Sequence, residues 1–151
     1  MDVIEILERD HRSVEDLVQR WEGGMEAGAA RLDLLREILD EVSAHRALEE
    51  RMLFPVVAEE LPGGRELVDA EAARHAEAEP LIADLVAVDE IDQKVERKTE
   101  QLVGHIREHT RQDEERLVPG LREHVSPERR ERLGTEAERA GSGLRAGSAR
   151  P

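Results

Sequence analysis

The stretch HRALEERMLFP at residues 45–55 decides the fold and the chemistry that we predict for this chain. At helical spacing, His45 and Glu49 share a face with the apolar residues Leu35, Ile38 and Val42. Burying an unpaired carboxylate costs several kcal/mol or forces the group to hold a proton. The pattern therefore indicates that something inside the protein binds a histidine and a carboxylate one helical turn apart.

The same pattern occurs a second time, in HTRQDEERLVP at residues 109–119. The two copies align without a gap, so that His109 matches His45 and Asp113 matches Glu49. Residues four apart in a helix lie on one face, where two side chains reach one metal ion or two adjacent ions. Imidazole and carboxylate together suit iron, manganese or zinc. We therefore predict a metal site between two helices that each carry one copy.

Four long amphipathic helices are predicted from apolar residues that recur every three or four positions. They cover about 2–22, 30–60, 65–88 and 89–124, and Pro55 is expected to bend or shorten the second. Such helices with short connections indicate an all-α fold, an antiparallel up-down four-helix bundle over residues 1–124. A short accessory helix with Ser126 as N-cap is predicted at 125–140, followed by a disordered tail at 141–151.

Composition restricts the class of protein further. A chain of 151 residues suits one domain, and its net charge of −14 argues against binding to nucleic acid or to anionic membranes. The absence of cysteine excludes disulfides, thiolate metal sites and cysteine nucleophiles. No stretch of about 20 apolar residues is present, so the expected location is cytoplasmic.

Two further histidines fall on inner faces, His11 on the first predicted helix and His75 on the third. Each of the four helices therefore contributes one inward histidine. On the third helix, Glu79 lies at the edge of the inner stripe, about 40° beyond His75, and Glu71 lies nearer to its centre. The pattern leaves both acids open as ligands. It also leaves His105 open, as a boundary residue or as a hydrogen-bonding partner of a ligand.

The segments DHRSVEDL (10–17), HRALEERMLFP, RHAEAEPLI (74–82) and HTRQDEERLVP resemble the hemerythrin family, in its bacterial HHE cation-binding branch. The resemblance implies two non-heme iron ions with an oxo or hydroxo bridge. It also implies the ligands of each ion: His11 and His45 for one iron, His75, Glu79 and His109 for the other, and Glu49 and Asp113 as bridges between them.

The resemblance implies a protein that senses or reacts with dioxygen, peroxide or nitric oxide from a diferric resting state. Weak catalase-like or oxidase activity is one hypothesis for such a site. The oxygen-carrying hemerythrins have a histidine where this chain has Glu79, which argues against the alternative of reversible dioxygen carriage. An iron-binding or storage module without turnover and a purely structural bundle are the remaining alternatives. Nothing in the sequence identifies a protein partner.

The resemblance also implies how buried acids are tolerated. Two cations would lie beside Glu49 and Asp113 and stabilise their ionised carboxylates. Without metal these two like charges lie near one another in an apolar layer. One of them is then expected to take up a proton.

Overall fold

Seven α-helices and two π-helical segments make up the computed structural model, which describes the backbone of residues 1–148 and the side chains of residues 1–141. The α-helices are α1 (Val3–Gly23), α2 (Gly28–Leu48), α3 (Phe54–Glu60), α4 (Gly64–Val86), α5 (Gln93–Gln112), α6 (Val118–His124) and α7 (Pro127–Ser148). The π-helical segments are π1 (Glu49–Leu53), which joins α2 to α3, and π2 (Asp113–Leu117), which joins α5 to α6. The chain therefore forms four long helical units, α1, α2–π1–α3, α4 and α5–π2–α6, followed by α7.

The four long units pack as the predicted all-α bundle. The first unit contacts the second and the fourth, and α4 contacts both α2–π1–α3 and α5. Short connections join consecutive units, so neighbours run antiparallel. The second and fourth units, which carry the two copies of the repeated motif, lie diagonally across the bundle. The helix α7 lies outside this ring, against α1 and α2.

Side-chain caps fix where several helices begin. The Asp2 carboxylate accepts a hydrogen bond of 2.9 Å from the backbone N–H of Ile4, and Glu5 accepts one from the N–H of Asp2, which completes a capping box. The carboxylate of Asp92 caps α5 in the same way by accepting a hydrogen bond from the N–H of Val95. These caps fix where α1 and α5 begin, whereas α2 and α4 begin without a side-chain cap.

A wide helical turn occurs in each copy of the repeated motif. The N–H of Phe54 bonds to the carbonyl of Glu49, and that of Val118 to the carbonyl of Asp113, five residues back in both cases. Proline follows at once in both copies. Since proline lacks an N–H and its ring collides with the carbonyl four residues back, the wider turn lets the helix continue through it. The second unit therefore continues past Pro55 to residue 60 instead of ending there.

The bundle interior is divided into two apolar clusters with a polar layer between them. One cluster includes Leu7, Leu53 and Leu117, and the other includes Val14 and Leu102. Along each long unit, one histidine lies between the residues that join the first cluster and those that join the second. The apolar periodicity thus fixes four imidazoles at one level of the bundle.

The helix α7 is longer than the predicted accessory helix. It begins at Pro127, and the Ser126 hydroxyl accepts a hydrogen bond of 3.2 Å from the N–H of Arg129, as expected of an N-cap. It continues to Ser148 where a tail from residue 141 was expected, because a helix that has already formed gains one hydrogen bond for each added residue. Residues 149–151 of the predicted tail lie outside the described residues.

Across the described residues, each helix lacks the length of apolar sequence that would be needed to cross a membrane.

The start of α4 requires a glycine at residue 64. A Cβ at Gly64 would overlap the backbone carbonyl of Val57, whereas one at Gly104, on the exposed side of α5, would meet open space. We expect Gly64→Ala to lower the free energy of unfolding by about 1–3 kcal/mol. Gly104→Ala, the matched control, should raise it by about 0.5–1 kcal/mol, since alanine is the better helix former. Urea denaturation followed by circular dichroism measures both, and equal effects of the two substitutions would contradict this packing.

Candidate metal centre

The polar layer brings together a histidine from each long unit and two acids from the wide turns. The histidines are His11 on α1, His45 on α2, His75 on α4 and His109 on α5. Glu49 is the first residue of π1 and Asp113 the first of π2, and both side chains are fully buried. The wide turns therefore place one carboxylate from each repeat at the level of the imidazoles.

These side chains form two overlapping groups with metal-ligand geometry, within each of which the ligand atoms lie within 4.8 Å of one another. The first group contains His11, His45, Glu49, His109 and Asp113. The second contains Glu49, Glu71, His75 and His109. Glu49 and His109 belong to both groups, so the two groups share a border inside the bundle. Each group brings together at least four side chains that could hold a metal ion.

Close contacts between imidazole nitrogens and carboxylate oxygens hold the two groups together. Nε2 of His109 lies 3.0 Å from Oε1 of Glu49 and 3.0 Å from Oδ2 of Asp113. Nε2 of His11 lies 3.1 Å from the same Asp113 oxygen, and Nε2 of His45 lies 2.7 Å from Oε1 of Glu49. All three imidazoles therefore present the same ring nitrogen to the centre, as ligands of a shared site would.

Four buried polar atoms in the cluster have no hydrogen-bond partner among the described residues. They are Oε2 of Glu49, Oε2 of Glu71, Nε2 of His75 and Oδ1 of Asp113. Nε2 of His75 and Oε2 of Glu49 lie 3.3 Å apart, close enough for an ion pair but without the geometry of a hydrogen bond. Buried polar atoms are nearly always hydrogen-bonded, because leaving one unpaired costs about 1–3 kcal/mol. Each of the four atoms carries a lone pair that a cation can accept. The residues present therefore fit a metal.

A second set of acids contacts the outer nitrogens of three histidines. Nδ1 of His45 lies 3.3 Å from a carboxylate oxygen of Asp10, and Nδ1 of His75 lies 2.8 Å from one of Glu50. Nδ1 of His11 lies 3.3 Å from Glu114. With the proton on Nδ1, each imidazole donates to its acid and keeps the Nε2 lone pair for the centre. These acids orient the ligands and increase their basicity.

These outer acids are not predicted from the helical pattern. Each of them adjoins a predicted ligand in the sequence, since Asp10 precedes His11, Glu50 follows Glu49 and Glu114 follows Asp113. Adjacency to a predicted ligand was therefore an available signal for these acids. Each acid, however, contacts a histidine on a helical unit other than its own. Only the packing of the units reveals the pairing.

The structure places Glu71, and not Glu79, in the cluster. The Glu79 side chain is 66% exposed, and its carboxylate lies 2.9 Å from Nη2 of Arg46. The Glu71 side chain is 1% exposed, and it joins His75 in the second group. Both acids lie one turn from His75 on α4, but Arg46 reaches across from α2 and holds Glu79 outside. The structure therefore places Glu71 among the candidate ligands and leaves Glu79, the acid implied by the resemblance, outside them.

A buried ion pair accompanies Glu71. Arg74, one turn further along α4, donates a hydrogen bond to Oε1 of Glu71. Burial and the nearby Asp113 carboxylate raise the pKa of Glu71, and Arg74 offsets part of that rise. Arg74 thus stabilises a third carboxylate beside the two of the repeated motif.

The imidazoles of His45 and His109 titrate differently from free histidine because of the acids around them. Burial lowers the pKa of His45, but Glu49, Asp10 and Asp113 raise it well above its usual value. Burial also lowers the pKa of His109, but Glu49 and Asp113 raise it to about 10. Burial raises the pKa of the Glu49 carboxyl, whereas the two imidazoles hold it well below its usual range. Without metal, His45 and His109 therefore hold protons beside an ionised Glu49, which is then not the acid of the Glu49–Asp113 pair that takes one up.

His105 lies outside both groups of ligands. Its side chain is exposed on α5 and lines a cavity of about 270 Å³ that reaches the imidazoles. The position one turn before His109 therefore puts His105 near the approach to the centre, and not in it.

Comparison with known proteins agrees with the geometry of the centre. The family model of the hemerythrin HHE cation binding domain matches residues 2–140, which is most of the chain. The searches of curated proteins and of solved structures gave no match.

Proposed function

We propose that this chain, which belongs to the hemerythrin HHE cation binding family, binds two non-heme iron ions and uses them to sense or react with dioxygen, peroxide or nitric oxide. The observation that carries this proposal is the pair of overlapping ligand groups that share Glu49 and His109. Together the groups contain seven residues, too many for one tetrahedral zinc. Imidazole and carboxylate donors without thiolate suit iron.

Residues His11, His45 and Asp113 would hold one ion, and His75 and Glu71 the other, with Glu49 and His109 at the border. When bound, an iron pair supplies one- and two-electron redox chemistry toward small oxidants. The protein positions the imidazoles through the outer acids, and its apolar clusters limit the access of water. The cavity beside the imidazoles supports entry of a small ligand from solvent.

Elemental analysis combined with peroxide assays tests this function. Protein loaded with ferrous iron and desalted should contain two irons per chain, and its optical spectrum should change on addition of peroxide or nitric oxide. Consumption of peroxide over many cycles would support catalase-like turnover, and binding of iron without any reaction would favour a storage module. One iron or none per chain would contradict the proposal.

Removal of iron is expected to lower the melting temperature by about 5–10 °C. A ligand that binds only the folded state stabilises it by mass action, by about 2.7 kcal/mol when its concentration is 100 times its Kd. In a domain of this size each kcal/mol corresponds to about 2–4 °C. Differential scanning calorimetry of iron-loaded and chelator-treated protein measures the difference. An unchanged melting temperature after verified removal would count against a buried site, and reloading with iron provides the control.

A further inference from the structure

The cavity beside the metal centre has an apolar wall as well as a polar one. Six buried or half-buried apolar side chains line it, and they come from all four long units: Val14, Val42, Ala78, Ile82, Leu102 and Ile106. The four histidines of the centre line its other side. The buried acids Glu49, Glu71 and Asp113 are not among the lining residues. The cavity therefore adjoins the ligand cluster, with the imidazoles as part of its wall and the buried acids behind them.

The volume of this cavity, about 270 Å³, is far greater than a diatomic ligand requires. A water molecule occupies about 30 Å³ of liquid, and a protein cavity of about 150 Å³ with an apolar lining binds benzene. By proportion, the cavity beside the centre takes a molecule of about ten non-hydrogen atoms. We infer that this cavity is a binding site for a neutral, largely apolar organic molecule of the size of indole, held against the imidazoles of the metal centre.

The charged residues around the cavity favour a neutral occupant. Arg46 and Arg74 line it, but Arg46 pairs with Glu79 and Arg74 pairs with Glu71. Four acids also line it, namely Asp10, Glu41, Glu77 and Glu108. Both arginines already pair with acids, and the His45 and His109 imidazoles already face Glu49 and Asp113. An organic anion would therefore lose its hydration without gaining an unpaired cationic side chain. A neutral molecule avoids this cost.

The cavity opens to solvent at the lining residues that are exposed. Among the lining residues, Glu77 on α4 and His105 and Glu108 on α5 are exposed, so the cavity opens between these two helices. A molecule that enters there lies between solvent and the imidazoles of His75 and His109. Its binding would close the route by which small oxidants reach the centre. This inference goes beyond the proposed iron chemistry, because the apolar wall exists without metal.

Isothermal titration calorimetry with indole tests the site on the full chain, both iron-loaded and chelator-treated. The expected dissociation constant is below about 1 mM, as for small ligands that fill an apolar pocket. Ala78→Phe and Val42→Phe fill the cavity from two neighbouring helices, α4 and α2, and should weaken binding at least about tenfold. Ala76→Phe, which adds the same ring to the exposed side of α4, is the matched control and should bind indole as the wild type does. Indole-3-carboxylate should bind at least about tenfold more weakly than indole.

The outcomes separate this inference from the proposed function. If the chain fails to hold iron but the metal-free protein binds indole, the proposed function falls and the cavity site stands. Absence of indole binding in both forms overturns the site even when two irons are present. Unchanged binding in a folded cavity-filling variant also overturns it, and Val42→Phe decides alone if Ala78→Phe does not fold, since Val42 is only half-buried. Equal affinity for the anion would contradict a neutral occupant.

Discussion

His109→Ala is expected to empty the metal centre, whereas His105→Ala is expected to leave it filled. His109 is the imidazole that both ligand groups contain, and its Nε2 lies 3.0 Å from both Glu49 and Asp113. Its loss removes a donor from each group and leaves two buried carboxylates with one fewer partner. Even an outer partner of a ligand contributes 10–100-fold in metal affinity. Iron should therefore fall from two ions per chain to less than about half an ion after desalting.

His105 provides the matched control because it has the same chemistry one turn earlier on α5. It is exposed and belongs to neither ligand group. We expect His105→Ala to keep its iron and its melting temperature, with changes confined to access through the cavity. Circular dichroism establishes that both variants fold, and elemental analysis counts the iron. If His105→Ala emptied the centre and His109→Ala did not, the register of the fourth helical unit would be wrong.

The fold followed from the sequence because apolar periodicity reports burial along a helix directly. Four long helices, their order and the level of the histidines could all be predicted in this way. The wide turns at Glu49 and Asp113 could not, because proline was interpreted only as a residue that bends or shortens a helix. The repeated position of Pro55 and Pro119 was the available signal, since a proline that recurs six residues after an inward acid indicates a conserved geometry within the chain.

Two acids of α4 could enter the centre by their helical angle. Glu71 and Glu79 lie four residues on either side of His75, each about 40° away from it around the helix. Angles of that size do not decide which acid enters the bundle. In the structure Arg46 on α2 pairs with Glu79 outside the bundle, and Arg74 pairs with Glu71 inside it. Such contacts between distant residues depend on packing, which a single sequence does not specify.

Glu71→His is expected to slow autoxidation of the reduced, iron-loaded protein by about tenfold or more. Glu71 adds a third carboxylate to Glu49 and Asp113, and a negative charge favours ferric over ferrous iron because the attraction grows with the charge of the metal. A neutral imidazole at this position removes that preference. It also leaves the Arg74 guanidinium without its partner, and this positive charge acts in the same direction. Stopped-flow mixing of reduced protein with aerated buffer measures the rate.

The same substitution is expected to have different effects on autoxidation at the two acids of α4. Glu79→His changes an exposed residue that pairs with Arg46, so it should leave the autoxidation rate within about twofold of the wild type. Iron content must be equal in both variants for the comparison to hold, and elemental analysis establishes this. A slower rate in Glu79→His with no change in Glu71→His would return the ligand role to Glu79.

Since wild-type Glu71 favours the ferric state, the reduced wild-type protein should oxidise quickly in air. A stable complex with dioxygen that releases the gas under vacuum would contradict this and support reversible carriage.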